Sequence, residues 1–97
     1  MLIDIQGVLL QTDLIYKIGL VNTGEKGWAC FDIHFLNGQS HTIYFREECD
    51  LTAEEIPVAA RALNVLRDEI TSYINSVNKG SAIKHFGLAD RRPNSGQ

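Results

Sequence analysis

Two histidines, His34 and His41, flank an Asn37-Gly38 pair, and Asp32 stands two residues before the first of them. Two imidazoles and a carboxylate form a ligand set for a divalent transition metal such as Zn²⁺, with one position left for water. Whether they converge depends on the turn between them. A two-residue turn at Asn37-Gly38 sets His34 directly opposite His41, with Asp32 along the same face, and buries Tyr44 beside Phe31. A three-residue loop, with Gly38 left-handed and a bulge, shifts the pairing by one residue and sends the two histidines to opposite faces. The shifted pairing gathers Phe31, Ile33 and Phe35 with His41, Ile43 and Phe45. Five large apolar side chains on one face are worth several kcal/mol, at about 1.5 to 3 kcal/mol each. The sequence is therefore read in the shifted register, with no metal site. Asp32, His34, Ser40, Thr42 and Tyr44 then share the opposite face.

Nucleophilic chemistry finds less support. Cys30 and Cys49 have no C-x-x-C spacing, and no Gly-rich turn presents either thiol, although Cys49 precedes a helix. There is no P-loop, no G-x-G-x-x-G and no H-E-x-x-H. No catalytic, cofactor-binding or metal-ligating residue is assigned, and no enzyme is expected. Two cysteines without a pairing pattern fit free thiols in a reducing compartment. The opening Met1-Leu2-Ile3-Asp4-Ile5-Gln6 lacks a basic n-region, and Asp4 cuts its apolar run short. No segment approaches the roughly 20 apolar residues of a membrane helix. A cytoplasmic protein without membrane contact is the expectation.

Charge is segregated along the chain. Within a net of −3, residues 1–78 hold eleven acids against five bases, and residues 79–97 hold four bases against one acid. Glu47, Glu48, Asp50, Glu54 and Glu55 concentrate five carboxylates before a helix. Acids there offset the helix's partial positive charge, at roughly 0.3 to 1 kcal/mol each. The same run offers a docking knob to a basic partner. The acidic body argues against a broad nucleic-acid surface. Nucleic-acid association is the alternative reading, through Lys84, Arg91 and Arg92 of the basic tail.

The elements that position these groups follow from periodicity. Ninety-seven residues, 44% apolar and 22% charged, suit one domain with one modest core. Residues 2–6 alternate, Gly7 turns, and Val8-Leu9-Leu10 returns. Residues 14–21 read as a strand with apolar residues on both faces, which suggests an inner position. Residues 22–27 read as a hairpin loop, residues 28–36 and 39–46 as the strongest strand pair. Trp28, Tyr16 and Tyr44 are candidate binding aromatics.

Residues 52–78 read as one long helix. Ile56, Ala59, Leu63, Leu66, Ile70, Tyr73 and Val77 form its apolar stripe, and Arg61, Asn64, Arg67, Asp68 and Thr71 its solvent side. Thr52 and Glu55 match a capping box, Pro57 loosens the first turn, and Asn78-Lys79-Gly80 supplies the stop. The stripe either covers the aromatic sheet face or forms a homodimer seam.

These readings converge on an α+β fold, an antiparallel sheet of four or five strands with one long C-terminal helix packed on one face. Residues 1–80 form the domain, and residues 81–97 a partly docked or mobile tail in which Ile83, Phe86 and Leu88 can dock one short turn. The strands-then-helix order is similar to that of many small modules, small phage-encoded inhibitors among them. Such likeness at the level of fold says little about function. The expected function is a non-enzymatic protein-interaction module, an adaptor or small inhibitor of a larger assembly. Its partner-binding residues would be Asp32, His34, Thr42 and Tyr44 with Glu47, Glu48, Asp50 and Glu54.

Overall fold

The computed structural model describes residues 2–24, 27–46, 48–76 and 83–88. The strands are β1 (Leu2–Ile5), β2 (Val8–Gln11), β3 (Ile15–Ile18), β4 (Asn22–Gly24), β5 (Trp28–Phe35) and β6 (Ser40–Tyr44), followed by the helix α1 (Glu55–Ile74) and a last strand β7 (Lys84–Phe86). They make an α+β fold with two sheets. In one, β1 lies between β2, antiparallel, and β7, parallel. In the other, β5 is central, with β6 along one side and β3 then β4 along the other, all antiparallel.

The two hairpins with the clearest turn chemistry set the geometry. Gln6 and Gly7 both take positive φ, 53° and 90°. That is the type I′ pattern whose twist matches paired strands. The Gly7 N–H donates to Asp4 Oδ1 at 2.7 Å. At the second hairpin Gly38 has φ +90°, its N–H donates to Phe35 O at 3.0 Å, and the Phe35 N–H donates to Gln39 O at 2.8 Å. Leu36, Asn37 and Gly38 thus form a three-residue loop, and the pairs are Phe31 with Ile43, Asp32 with Thr42, Ile33 with His41 and His34 with Ser40. This is the shifted register. Phe31, Ile33 and Ile43 are buried, with Phe35 and Phe45 packed against them.

The helix stripe closes this face. Ala59, Leu63, Leu66 and Ile70 are buried, and Ile56 and Tyr73 pack on the rim of the core. The stripe is thus packed within this chain against the sheet. The capping box forms in both directions: the Thr52 N–H donates to Glu55 Oε1 at 2.9 Å, and the Glu55 N–H to Thr52 Oγ1 at 3.3 Å. The regular helix starts at Glu55 and ends at Ile74, four residues short of the expected end at 78. Val77 and the Asn78-Lys79-Gly80 stop lie outside the described residues.

Residues 14–21 are not an inner strand. Among the described residues β3 pairs only with β5, and the pairing shifts between Ile15 and Lys17. This bulge turns Ile15 and Ile18 toward the core and leaves Tyr16 at 66% and Leu20 at 72% exposed. The apolar pattern on both faces reflects a bulge and a chain break, not burial on both sides. Part of the expected hairpin loop is also strand, since Asn22, Thr23 and Gly24 pair with Cys30, Ala29 and Trp28.

The break between β3 and β4 explains a second departure. Arg67, expected on the solvent side of the helix, is partly buried. Its Nε donates to Gly19 O at 2.7 Å and its Nη2 to Ile18 O at 3.2 Å. Two carbonyls left without strand partners under a helix are costly, and the guanidinium's fork satisfies both. Beyond Gly80, the described residues 83–88 contribute β7 where a docked turn was expected. The open edge of β1 takes a third strand there, and Gln6 N–H donates to Phe86 O at 3.0 Å. Phe86 and Leu88 are buried, Ile83 is exposed, and the Tyr73 ring meets Phe86 edge-on at 5.7 Å.

Replacing Arg67 by Met, which keeps the stem but removes the donors, should destabilise the protein by about 1–3 kcal/mol. Arg61→Met on the exposed face should change stability by less than about 0.5 kcal/mol. Urea midpoints of the two variants measure the contrast, and equal midpoints would remove Arg67 from this role.

Candidate protein-interaction surface

The face of β5 and β6 turned away from the helix is where four of the expected partner-binding residues meet. Asp32 and Thr42 sit opposite each other, and the Thr42 hydroxyl donates to Asp32 Oδ1 at 2.6 Å. The short distance follows from the ladder. Phe35 and Ala29 bond across to Gln39 and Phe45, so by alternation Asp32 and Thr42 form a non-hydrogen-bonded pair, whose side chains lie closest. His34 lies between Ser40 on β6 and Lys17 on β3, and Cys30 between Tyr44 and Asn22. Asp32, His34 and Thr42 are half-buried, and Tyr44 is 37% exposed.

This arrangement separates His34 from His41, which is paired with Ile33 on the other face. Among the described residues, no three His, Cys, Asp or Glu side chains are grouped to hold a metal ion. Both cysteines are free. Burial, then the nearby charges of Asp32 and Cys49, push the Cys30 thiol above its ordinary range, opposite to what an activated nucleophile needs. Trp28 is half-buried, and its indole lies where a side chain on Gly24 would have to go. The indole therefore covers a glycine across the strands, a packing role rather than an open aromatic.

The acidic run is built differently from a uniform knob. Arg46 organises it, donating to Asp50 Oδ1 at 3.0 Å and lying 3.6 Å from Glu55 Oε2. Both pairs are solvent-exposed and contribute little on their own. The loop is instead tied down through Gly27. The Leu51 N–H donates to Gly27 O at 3.0 Å, and a side chain on Gly27, whose φ is +88°, would lie 2.7 Å from Leu51 O and 2.9 Å from Cys49 O. Cys49 itself takes φ 57°. Glu48 and Glu54 stand exposed with no ion-pair partner among the described residues. Glu47 lies outside them. Residues 48–51 thus form an acidic rim tied to Gly27.

The sequence reading did not pick out Arg46 or Gly27. The Arg46 to Asp50 spacing was visible, but Gly27 becomes necessary only when residues 49–51 fold back against it. Of the nucleic-acid candidates, Lys84 is exposed, with its Nζ 5.9 Å from the Phe86 ring centroid, and Arg91 and Arg92 lie outside the described residues. Next to Lys84, His85 Nδ1 lies 2.7 Å from Asp4 Oδ2, so an acid stands beside that base. Among the described residues no helix is long and apolar enough to cross a membrane. Comparison with family models, with curated proteins and with solved structures returned no match to this chain.

The rim carries a pH dependence. The Thr52 N–H, and secondarily Arg46, hold the Glu55 carboxyl below its ordinary value of 4.5. A depressed folded value contributes stability that is present above the ordinary value and lost as pH falls through the folded one. Glu55→Gln retains an oxygen acceptor for the Thr52 amide. It should therefore leave the fold intact while flattening the decline of stability below about pH 4.5. Urea titrations at stepped pH measure this, and an unchanged slope would exclude Glu55 as its source.

Proposed function

We propose that this chain is a non-enzymatic protein-interaction module, an adaptor or small inhibitor of a larger assembly, acting in the cytoplasm. The observation that carries the reading is the continuity of one surface. The outer face of β5 and β6 carries Asp32, His34, Thr42 and Tyr44, and Glu48 of the acidic rim lines one cleft with Thr42 and Tyr44. Rigid polar surfaces with a partly exposed tyrosine are suited to recognition, because little side-chain freedom is lost on binding. Carboxylates without partners at the rim favour a basic surface on the other protein and speed its approach.

Two surface variants test this. Glu48→Lys with Glu54→Lys reverses the rim, and His34→Ala with Tyr44→Ala trims the face. A tagged wild-type chain should retain a protein from lysate that both variants lose by at least about tenfold, near 1.4 kcal/mol. The rim variant's loss should shrink in high salt. Equal retention by all three chains, or a wild type that stays a bare monomer, would overturn the reading.

A further inference from the structure

The two edges of the β5 sheet are treated differently. Along β3 and β4 the edge is bulged, interrupted and plugged, with Arg67 occupying the carbonyls of Ile18 and Gly19. Such devices keep another chain from adding to a sheet. Strand β6 has none of them. Its sequence, Ser40-His41-Thr42-Ile43-Tyr44, contains no lysine and no proline, its pairing with β5 is regular, and no strand lies on its far side among the described residues.

The main-chain groups on that far side follow from the ladder. Phe35 N–H donates to Gln39 O and Phe45 N–H to Ala29 O, so the odd-numbered residues of β6 face β5. Alternation turns the N–H and C=O groups of Ser40, Thr42 and Tyr44 outward. They do not face open solvent on all sides. A cleft of about 480 Å³ runs along residues 41–46, with Gln6 and Val8 of the first hairpin as its opposite wall and Glu48 at one end. That volume lies within the range of binding clefts, about 300–1,000 Å³. A strand added to β6 would sit about 4.8 Å from it, inside this cleft.

We propose that β6 docks an extended segment of a partner protein by strand addition, and that the segment carries a lysine or arginine at the end lying beside Glu48. This rests on the interaction-module reading and names its mode. Charge selects its chemistry. At the Glu48 end the Arg46 guanidinium is taken by Asp50 and Glu55, while Glu48 has no ion-pair partner among the described residues. On the inner side the segment's alternate residues meet Val8 and Phe45, so an apolar residue is expected at those positions. Main-chain bonds supply affinity in such complexes, and the alternate side chains supply selectivity.

The test uses the full chain and fluorescein-labelled synthetic octapeptides with alternating valine and threonine, ending in two lysines or two glutamates. The lysine peptides should bind at least about tenfold more tightly, and Glu48→Lys should narrow or reverse that ratio. N-methylating alternate backbone amides of the tighter peptide should abolish binding in one parity and spare it in the other, since only one parity faces β6. Amide exchange at Ser40, Thr42 and Tyr44, followed by NMR, should slow with peptide present. Absence of peptide binding, equal effects of the two N-methyl parities, or unchanged exchange at those three amides would overturn strand addition. Exchange that slows with protein concentration alone would identify a second copy as the occupant and equally overturn it. If the surface variants still lose a captured protein in that case, the interaction reading stands and the docking mode alone falls.

Discussion

The three-residue loop of Leu36, Asn37 and Gly38 decides which side of the central hairpin becomes interior. A two-residue type I′ turn needs positive φ at both Asn37 and Gly38, whereas here Gly38 alone of the two is left-handed, at +90°. Side chains in a strand alternate with a period of two, so a one-residue change in the loop exchanges the two faces completely. In the observed pairing Ile43 meets Phe31, and Thr42 meets Asp32. In the alternative, Tyr44 would enter the core and Ile43 would lie against Asp32. The partner for the helix stripe, the composition of the outer face and the separation of His34 from His41 all descend from this one turn.

Features whose causes are local were legible in the sequence. The Asn37-Gly38 turn, the Thr52 and Glu55 capping box and the stripe of Ala59, Leu63, Leu66 and Ile70 each announce themselves within a few residues. The face shared by Asp32, His34, Thr42 and Tyr44 was legible for the same reason, once the register was argued from the aromatic side chains. The remainder was not, because its causes lie far along the chain. Arg67 looked like one more exposed base until the break after Ile18, 49 residues earlier, presented a carbonyl to it. The bulge at Tyr16 mimicked a strand buried on both faces. β7 has too few residues for any periodicity to show.

The rim shows how a charged loop is made rigid without strong ion pairs. Exposed pairs such as Arg46 with Asp50 are weak and salt-sensitive. Rigidity comes from the backbone, through the bond from Leu51 to Gly27 and the close approach that only a glycine permits. The capping box then joins the same loop to the first turn of the helix. The other end of the sheet relies on Arg67, whose partly buried guanidinium bonds directly to main chain.

The parallel pairing of β7 with β1 bears on the order of assembly. Asp4 and His85 meet across 81 positions of sequence. During synthesis the first hairpin emerges long before residues 84–86 exist, and a lone two-stranded ribbon is marginal in water. Closing so long a loop delays the contacts that reward it and slows folding. Throughout that interval the edge of β1 stands unpaired on the nascent chain, exposing Ile3 and Ile5 to whatever is near. Residues 2–5 are thus made well before residues 84–86, and β1 waits for its second neighbour until they follow.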